Sequence, residues 1–542
     1  MTKKILMVNE FSQLATGYST YGKEVLSRLH AIGKYEIAEL ATYIDKKDPR
    51  IKQVPWKVFP NAPTPNTPEA QGFDPNSPQQ FGGWSFENYC LEFQPDIVFA
   101  IRDVWMDEHI YRSPYKKCFK FAHMPTVDAI PQQEAWIDMF NDADAVLSYT
   151  DWNGNVLINQ SGGKIKWRGS ASPSASMYLH PMTNRKDARM MLGYGPSAKV
   201  IGTVMRNQPR KLYPELFRTF RRYLDKSKSK DTVLYCHTSY PDNGWDIPSL
   251  IKEFGLSSKV FLTYVCDNCK FAYPVCYQDA YMFCPRCHMK AAHLVNPQTG
   301  VDHSTLNPIY NMMDLYVQYA NSEGFGLPMV EAGACGVPVA ATDYSAMSDV
   351  VRKLEGFPIR VSSYTRDFAT GCDRARPSDD SLIEIMTEFF SLPDAARELK
   401  RQQTRRAFEK NYSWDTTAQK WAEVFDSLPI GNWKLPPRIH EPAQPNQESA
   451  KLNNTEFSRW LIAEVLGEPE RIGTYFEARI NRDLNHRFHL MGMGGMYFNE
   501  EASLFNRPNH QPYDRNIAYN QMRDLCLRRN HLETARAQKL GL

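Results

Sequence analysis

Glu323 and Glu331 have seven residues between them, and Gly324 and Gly326 lie in that interval, in the stretch Asn321-Ser322-Glu323-Gly324-Phe325-Gly326-Leu327-Pro328. The apolar run Asp314 to Tyr319 before it reads as a strand, and Met329 to Cys335 after it reads as a helix. In such a strand–turn–helix unit the glycines let the backbone approach a ligand at the helix N-terminus, where free N–H groups suit a diphosphate. Glu323 would then face a sugar, its carboxylate accepting from two hydroxyls. Glu331, about two helical turns on, can accept from a ribose. The same spacing also fits a tight turn carrying two solvated acids.

A second cluster carries different chemistry. Cys266-Asp267-Asn268-Cys269 and Cys284-Pro285-Arg286-Cys287 are two Cys-x-x-Cys knuckles with fourteen residues between them. That spacing can bring four thiolates into one tetrahedron, as a structural zinc ribbon requires, and four protein ligands would leave no open position for catalysis. Cys276 and His288 lie close by, so a different ligand set stays open. The other six cysteines, Cys90, Cys118, Cys236, Cys335, Cys372 and Cys526, are scattered and read as small buried hydrophobes. Around the knuckles, Lys270, Phe271, Tyr273, Tyr277, Tyr281, Phe283, Arg286 and Lys290 fit a stacking and charge surface for a polymer. They fit equally a module that stiffens a loop or joins two subunits.

The elements that must position these residues read as two alternating sets. In the first, Lys4 to Val8, Glu36 to Tyr43, Asp96 to Ile101, Cys118 to His123 and Ala145 to Tyr149 are expected strands, and Tyr21 to His30 is an expected helix. In the second, Val200 to Met205, Thr232 to His237, Lys259 to Val265, Asp314 to Tyr319 and Pro338 to Thr342 are strands, with helices over Ser381 to Glu409 and Trp414 to Leu428. Two doubly wound sheets facing each other define a cleft at their strand C-termini. Asn61 to Gly83, without periodicity, reads as a loop or insertion. The expected division is a first Rossmann-like acceptor-side domain over 1–185, a donor-binding one over 186–428 with a zinc-ribbon insertion at 264–292, a linker over 429–454 and a mainly helical extension over 455–542.

Composition sets limits on the reading. Of 542 residues, 42% are hydrophobic and 23% charged, which suits a folded chain of several domains. Sixty-four basic against 61 acidic residues leave a formal charge of +3, so overall charge does not mark a nucleic-acid binder, though a local patch would suffice. The tail carries Arg459, Arg471, Arg479, Arg482, Arg487, Arg523, Arg528 and Arg529 with acids interleaved, the pattern of solvated helix faces. Asn9 and Glu10 interrupt the apolar start before a signal peptide could form, and no apolar stretch of about 18 residues is present, so the expected location is the cytoplasm. In that reducing compartment clustered cysteines point to metal rather than disulfides.

From Leu306 to Asp349 the chain resembles the donor-binding half of the retaining family 4 (group 1) glycosyltransferases of the GT-B fold. The resemblance runs through Tyr310-Asn311-Met312-Met313-Asp314, Ser322 to Pro328, and Glu331-Ala332-Gly333-Ala334-Cys335-Gly336-Val337-Pro338-Val339-Ala340. It implies a nucleoside-diphosphate sugar as donor, held by Gly324, Phe325, Gly326, Leu327 and Glu331, with Glu323 at the sugar. It implies that Arg206 and Lys211, after the first strand of the second set, bind the diphosphate. Two cations there stabilise the leaving nucleotide, so no catalytic metal is expected.

In the first domain the resemblance carries Gly17 over as the phosphate loop, without the usual double glycine, and His123 as the histidine beside the transferred sugar. A lone histidine after a strand is also an ordinary structural residue. Asp103 ends a strand on the same edge and is the candidate acceptor of the incoming hydroxyl's proton, its rivals being an N-cap or a partner of Arg102. Trp414-Asp415 and the helix after it resemble the family's closing helix, which packs on the first domain. The acceptor is expected to be macromolecular, with modified nucleic acid favoured and a cell-surface or small glycan as the alternative. A reading of another class is a zinc-ribbon nucleic-acid-binding or assembly protein on an inactive scaffold.

Overall fold

The computed structural model describes residues 2–190, 192, 197–296, 300–368, 370–484 and 515–542. Arg487 and the glycine-rich stretch Gly492-Met493-Gly494-Gly495 of the expected extension lie outside them. Seven parallel strands form the first sheet: β1 (Lys3–Glu10), β2 (Tyr35–Thr42), β3 (Lys57–Pro60), β4 (Ile97–Ala100), β5 (Lys120–His123), β6 (Ala145–Ser148) and β7 (Trp167–Ser170), in the order β3-β2-β1-β4-β5-β6-β7. Ile5 to Val8 and Ile97 to Ala100 are completely buried, because helices cover both faces of a parallel sheet and leave no polar side for the strands to alternate with.

The second sheet contains β8 (Lys199–Val204), β9 (Thr232–His237), β10 (Val260–Cys266), β11 (Ala272–Cys276), β12 (Tyr281–Met282), β13 (Ala292–Leu294), β14 (Leu315–Gln318), β15 (Val339–Thr342) and β16 (Phe357–Ile359). Its main path runs β12-β13-β10-β9-β8-β14-β15-β16, with β11 also paired to β10. A separate hairpin, β17 (Val361–Arg366) and β18 (Asp373–Pro377), follows. Both sheets reverse their winding, about β1 in one and β8 in the other, so ligands are expected where the strand C-termini face one another.

The helix Trp414–Ser427 follows the second sheet and packs on the first domain. Trp421 Nε1 donates to Tyr21 Oη at 2.8 Å, Tyr35 Oη to Asp426 at 2.8 Å, and Lys3 Nζ to the carbonyl of Leu428 at 2.6 Å. From there residues 429–433 stay attached to the same domain. Gly431 N donates to Asp96 at 2.9 Å, Asn432 N to the Cys118 carbonyl at 2.7 Å, and the buried Trp433 to the Pro95 carbonyl at 2.9 Å.

The extension covers the outer face of the first sheet. Phe457, Leu461, Ile462, Val465, Tyr475, Phe476 and Met522 share one core with Leu6, Val8, Tyr111 and Phe140. Solvated helix faces were the expectation for the tail arginines, and four of them are instead internal anchors. Arg479 pairs with Glu108 at 2.6 Å, Arg482 with Asp138 at 2.7 Å, and Arg471 and Arg529 donate to carbonyls of Tyr111, Ser113 and Arg112. Those carbonyls end the helix Val104–Arg112, where its dipole favours cations. The sequence pattern did not show this because the acids that pair with Arg479 and Arg482 lie some 350 residues away, by 371 and 344 positions. All six scattered cysteines are buried, as expected. No helix among the described residues is long and apolar enough to cross a membrane.

Arg479→Ala would remove the cation from the buried Glu108 carboxylate, which among the described residues also accepts from Tyr475 Oη at 2.7 Å. The expected cost is about 3 kcal/mol, read as a shift of the denaturation midpoint. An unchanged midpoint would show that the extension does not stabilise the first domain.

Candidate functional site

The acidic turn after β14 is held from below. Glu323 is buried and faces two cations on the turn Pro209–Lys211: Arg210 Nη1 donates to its Oε2 at 2.7 Å, and Lys211 Nζ donates to its Oε1. Gln318 Nε2 adds a hydrogen bond at 2.6 Å, and the Glu323 backbone N–H donates to Ser345 Oγ at 3.0 Å. Burial disfavours the Glu323 anion, but the charges of Arg210 and Lys211 outweigh it and pull its pKa down to about 2. Burial pushes Lys211 down to about 8, against the pull of Glu323, so at neutral pH the pair is ionic.

Gly326 caps the helix Leu327–Ala334 with φ of +90°, the left-handed region that glycine adopts without strain. Gly324 answers a different need. A Cβ there would lie 2.4 Å from the Thr126 methyl, so the first domain abuts this turn and any larger residue would make the Thr126 side chain shift. Phe325 is buried between Tyr149 and Tyr412, while Leu327 is half-buried. Glu331, on the same helix, accepts from Tyr310 Oη at 2.6 Å, and burial raises its carboxyl above the usual range.

Of the two expected cations, the structure brings only Lys211 to Glu323. Arg206 is more than half exposed and forks onto the buried carboxylate of Asp242, with Nε at 3.1 Å and Nη2 at 2.8 Å. Arg210, which the sequence reading gave no role, stands beside Lys211. Its adjacency to Lys211 at the start of a helix was the available signal.

Across the cleft, Asp103 occupies the N-cap position of the helix Val104–Arg112, but its side chain makes no cap hydrogen bond. Arg102 pairs with Asp107 instead. Asp103 is thus an N-cap by position but not by side-chain bonding, and it is not the partner of Arg102. Its carboxylate accepts from Tyr18 Oη at 3.1 Å, and that hydroxyl lies 2.9 Å from Thr126 Oγ1. Burial and the neighbouring Asp128 charge raise Asp103 to about 6. Arg210, held chiefly by Glu323, is close enough to feel Asp128 and, more weakly, Asp103 across the gap.

His123 differs from expectation. Its side chain is completely buried, stacked on Phe121, with Nδ1 2.8 Å from Tyr111 Oη and Nε2 3.3 Å from Asp107. The ring faces the helices on the outer side of the sheet, not the cleft wall. Alternation along β5 accounts for this, since Phe121 and His123 share the face opposite Ala122. Gly17 begins the helix Gly17–Ile32 after the Thr16 cap, and a Cβ there would meet nothing within 4 Å. Space, not backbone strain, is what the glycine leaves at that helix N-terminus.

The thiols of Cys266, Cys269, Cys284 and Cys287 all lie within 4.8 Å of one another, with Cys266–Cys287 and Cys269–Cys284 both at 3.6 Å. Tetrahedral zinc with Zn–S bonds of about 2.3 Å puts sulfurs about 3.8 Å apart, so this set can hold a metal ion. Cys276 and His288 are not in the group. The knuckles grow out of the sheet itself. β10 pairs with β9 only up to Leu262 and continues to Cys266 beside β11 and β13. The aromatic residues divide between core and surface: Tyr273 is buried and stacked on Phe271, which Arg286 covers, whereas Tyr281 and Phe283 are exposed.

Residues 287–406 match the family model described as glycosyl transferases group 1. A D-inositol 3-phosphate glycosyltransferase of Gordonia bronchialis is 22% identical over 335 residues, 61% of this chain and 62% of that protein. The chain thus spans about three-fifths of that relative's length and about half of a similar one from Rhodococcus erythropolis. Among solved structures, sucrose-phosphate synthase from Thermosynechococcus elongatus superposes with a TM-score of 0.56 at 15% identity, covering 79% of this chain and 99% of that one. Anabaena Alr3699/HepE in complex with UDP and glucose gives 0.54 at 15% identity, covering 79% and 100%. The fold is GT-B, and its second domain carries a group 1 glycosyl transferase segment.

Elemental analysis of the native protein should find a single metal ion per chain, and Cys269→Ser combined with Cys287→Ser should abolish it. Four freely titratable thiols at these positions in the folded protein would contradict a metal site.

Proposed function

We propose that the protein is a glycosyltransferase that moves a hexose or pentose from a nucleoside-diphosphate sugar, a uridine diphosphate donor by preference, to a hydroxyl of an acceptor, with retention of anomeric configuration. The observation that carries this reading is the buried Glu323 carboxylate held ionised between Arg210 and Lys211 at the turn before the helix Leu327–Ala334. The group 1 segment and the UDP complexes of HepE support the donor class.

In this mechanism Lys211, with Arg206 turned from its exposed site on Asp242, neutralises the diphosphate as it leaves. Glu323 accepts from sugar hydroxyls, and Glu331 accepts from the ribose. The acceptor oxygen bonds to the anomeric carbon on the face from which the phosphate oxygen departs, and the hydroxyl proton passes to Asp103. A double displacement would need a carboxylate in attacking position on the opposite face, and no residue is assigned that role. His123 serves by ordering the end of β5. Zinc is the metal that four thiolates favour, in a structural role.

For the acceptor, a glycan or polyol hydroxyl is favoured over nucleic acid. Asp103, Asp128, Tyr18 and Thr126 make the facing wall acidic and hydroxylic, and the tail arginines Arg471, Arg479, Arg482 and Arg529 are engaged within the protein. The related D-inositol 3-phosphate glycosyltransferases and a lipopolysaccharide core mannosyltransferase of Rhizobium meliloti also support small-polyol and glycan acceptors.

Incubation with common nucleotide sugars and a glycan panel, followed by mass spectrometry, should show a sugar-sized increment on a glycan. Failure with every donor, together with tight nucleic-acid binding, would favour a binding protein on an inactive scaffold. Glu331→Ala should weaken UDP binding about tenfold in calorimetry while the protein stays folded. Transfer needs Asp103 ionised and Lys211 charged. With these groups at about 6 and about 8, kcat/KM should rise as pH increases through the first and fall above the second. A flat profile from pH 5 to 9 would remove both residues from the mechanism.

A further inference from the structure

The hairpin β17–β18 is a separate two-stranded sheet inserted between β16, the sheet edge, and the helix Asp379–Ser391. It lies between the two domains. On the first-domain side, Asp373 N donates to the Ile130 carbonyl at 2.6 Å and Gln133 Nε2 to the Thr370 carbonyl at 3.0 Å. On the donor side, Ala375 N donates to the Asn321 carbonyl at 3.1 Å. Tyr344 spans the junction: its hydroxyl accepts from Ile130 N at 3.1 Å and donates to the Asp373 carbonyl at 2.6 Å.

Arg374 stands where these contacts meet. Its Nη1 donates to Asp128 of the first domain at 2.6 Å and to Ser322 Oγ of the donor turn at 2.7 Å, while Nε faces Asp367 at 3.4 Å. Its side chain is only 14% exposed. Ser322 is fully buried and immediately precedes Glu323. The partners divide by domain: Ser322 and Asp367 move with the second, Asp128 with the first. Parting of the domains would break the Asp128 contacts of both Arg374 and Ser322, and with them the tie between the first domain and this turn.

We propose that Arg374 is a positioning residue for sugar transfer, coupling closure of the two domains to the placement of the Ser322–Glu323 turn. This rests on the transfer reading above. A guanidinium suits the task because its planar fork serves several acceptors at once, whereas an ammonium is a single point charge on a flexible stem. Thr126 against Gly324 completes the arrangement, since the same closure that brings Asp128 to Arg374 brings that methyl onto the turn. Glu323 thus has its charge set by Arg210 and Lys211, while Ser322 beside it is tied to the first domain through Arg374 and by its own hydroxyl, which donates to Asp128 at 3.3 Å.

The test combines small-angle scattering of the full chain with steady-state transfer and UDP binding. Arg374→Ala should enlarge the radius of gyration and lower kcat about tenfold or more, with UDP affinity changed less than about twofold. Arg374→Lys should keep the Asp128 pair and the compact scattering while kcat stays reduced, a split that a merely stabilising residue would not give. Should Arg374→Ala fail to fold, Asp128→Asn removes one charge at constant shape and should reproduce the expansion and the loss of kcat. Wild-type kcat in either folded variant, or reduced kcat in Arg374→Ala with unchanged scattering, would overturn the coupling. A wild-type protein that binds no nucleotide sugar would refute the transfer reading instead, and the scattering of Arg374→Ala would still decide whether the hairpin clasps the domains.

Discussion

Placing the Glu323 carboxylate out of water beside Arg210 and Lys211 is the constraint on which the site depends. The buried charges of Glu323 and Lys211 lose hydration worth several kcal/mol, and close mutual contact offsets that loss, with the half-exposed Arg210 adding a second cation from the rim. The consequence is geometric. The turn after β14 and the turn after β8 must stay in register to within a hydrogen bond, which fixes two adjacent strands of the second sheet at their C-terminal ends. Two cations against one carboxylate leave the turn with a net positive charge, and the groups that carry it are already fixed in place by their mutual contacts.

The first domain supplies a contrasting wall. Asp103 and Asp128 stand with the hydroxyls of Tyr18 and Thr126, and the nearby cation Arg102 is turned inward to Asp107. Arg210 and Lys211 on the second domain thus face Asp103 and Asp128 on the first, with the Glu323 carboxylate held between the two cations. The extension thickens the first domain, and the cysteine ribbon grows from the end of β10, where β11 and β13 pair with it.

Much of this was legible in the sequence because it is local. Buried parallel strands leave continuous apolar runs, and Thr232–His237 and Val339–Thr342 lie where those runs predict them. The four thiols carry their geometry in their spacing. What sequence reading lost depends on which way a side chain turns. His123 occupies a strand end that looks functional, yet it follows Phe121 to the outer face. Arg206 and Arg210 are both plausible cations four positions apart, and only the fold shows that Arg210 joins Lys211 on Glu323 while Arg206 rests on Asp242. Asp128 and Arg374 meet across 246 residues of chain, a separation that leaves no local trace.

Calorimetric titration of UDP near pH 8 in buffers of different ionisation enthalpy tests the central claim most directly. If the pair at Glu323 is the diphosphate receptor, a Lys211 lowered to about 8 in the free protein must be pulled upward by the arriving phosphates. The observed heat should then report net proton uptake on binding, and Lys211→Arg should remove that uptake while UDP still binds. Tight binding of UDP with no proton uptake by the unmodified protein would contradict the account.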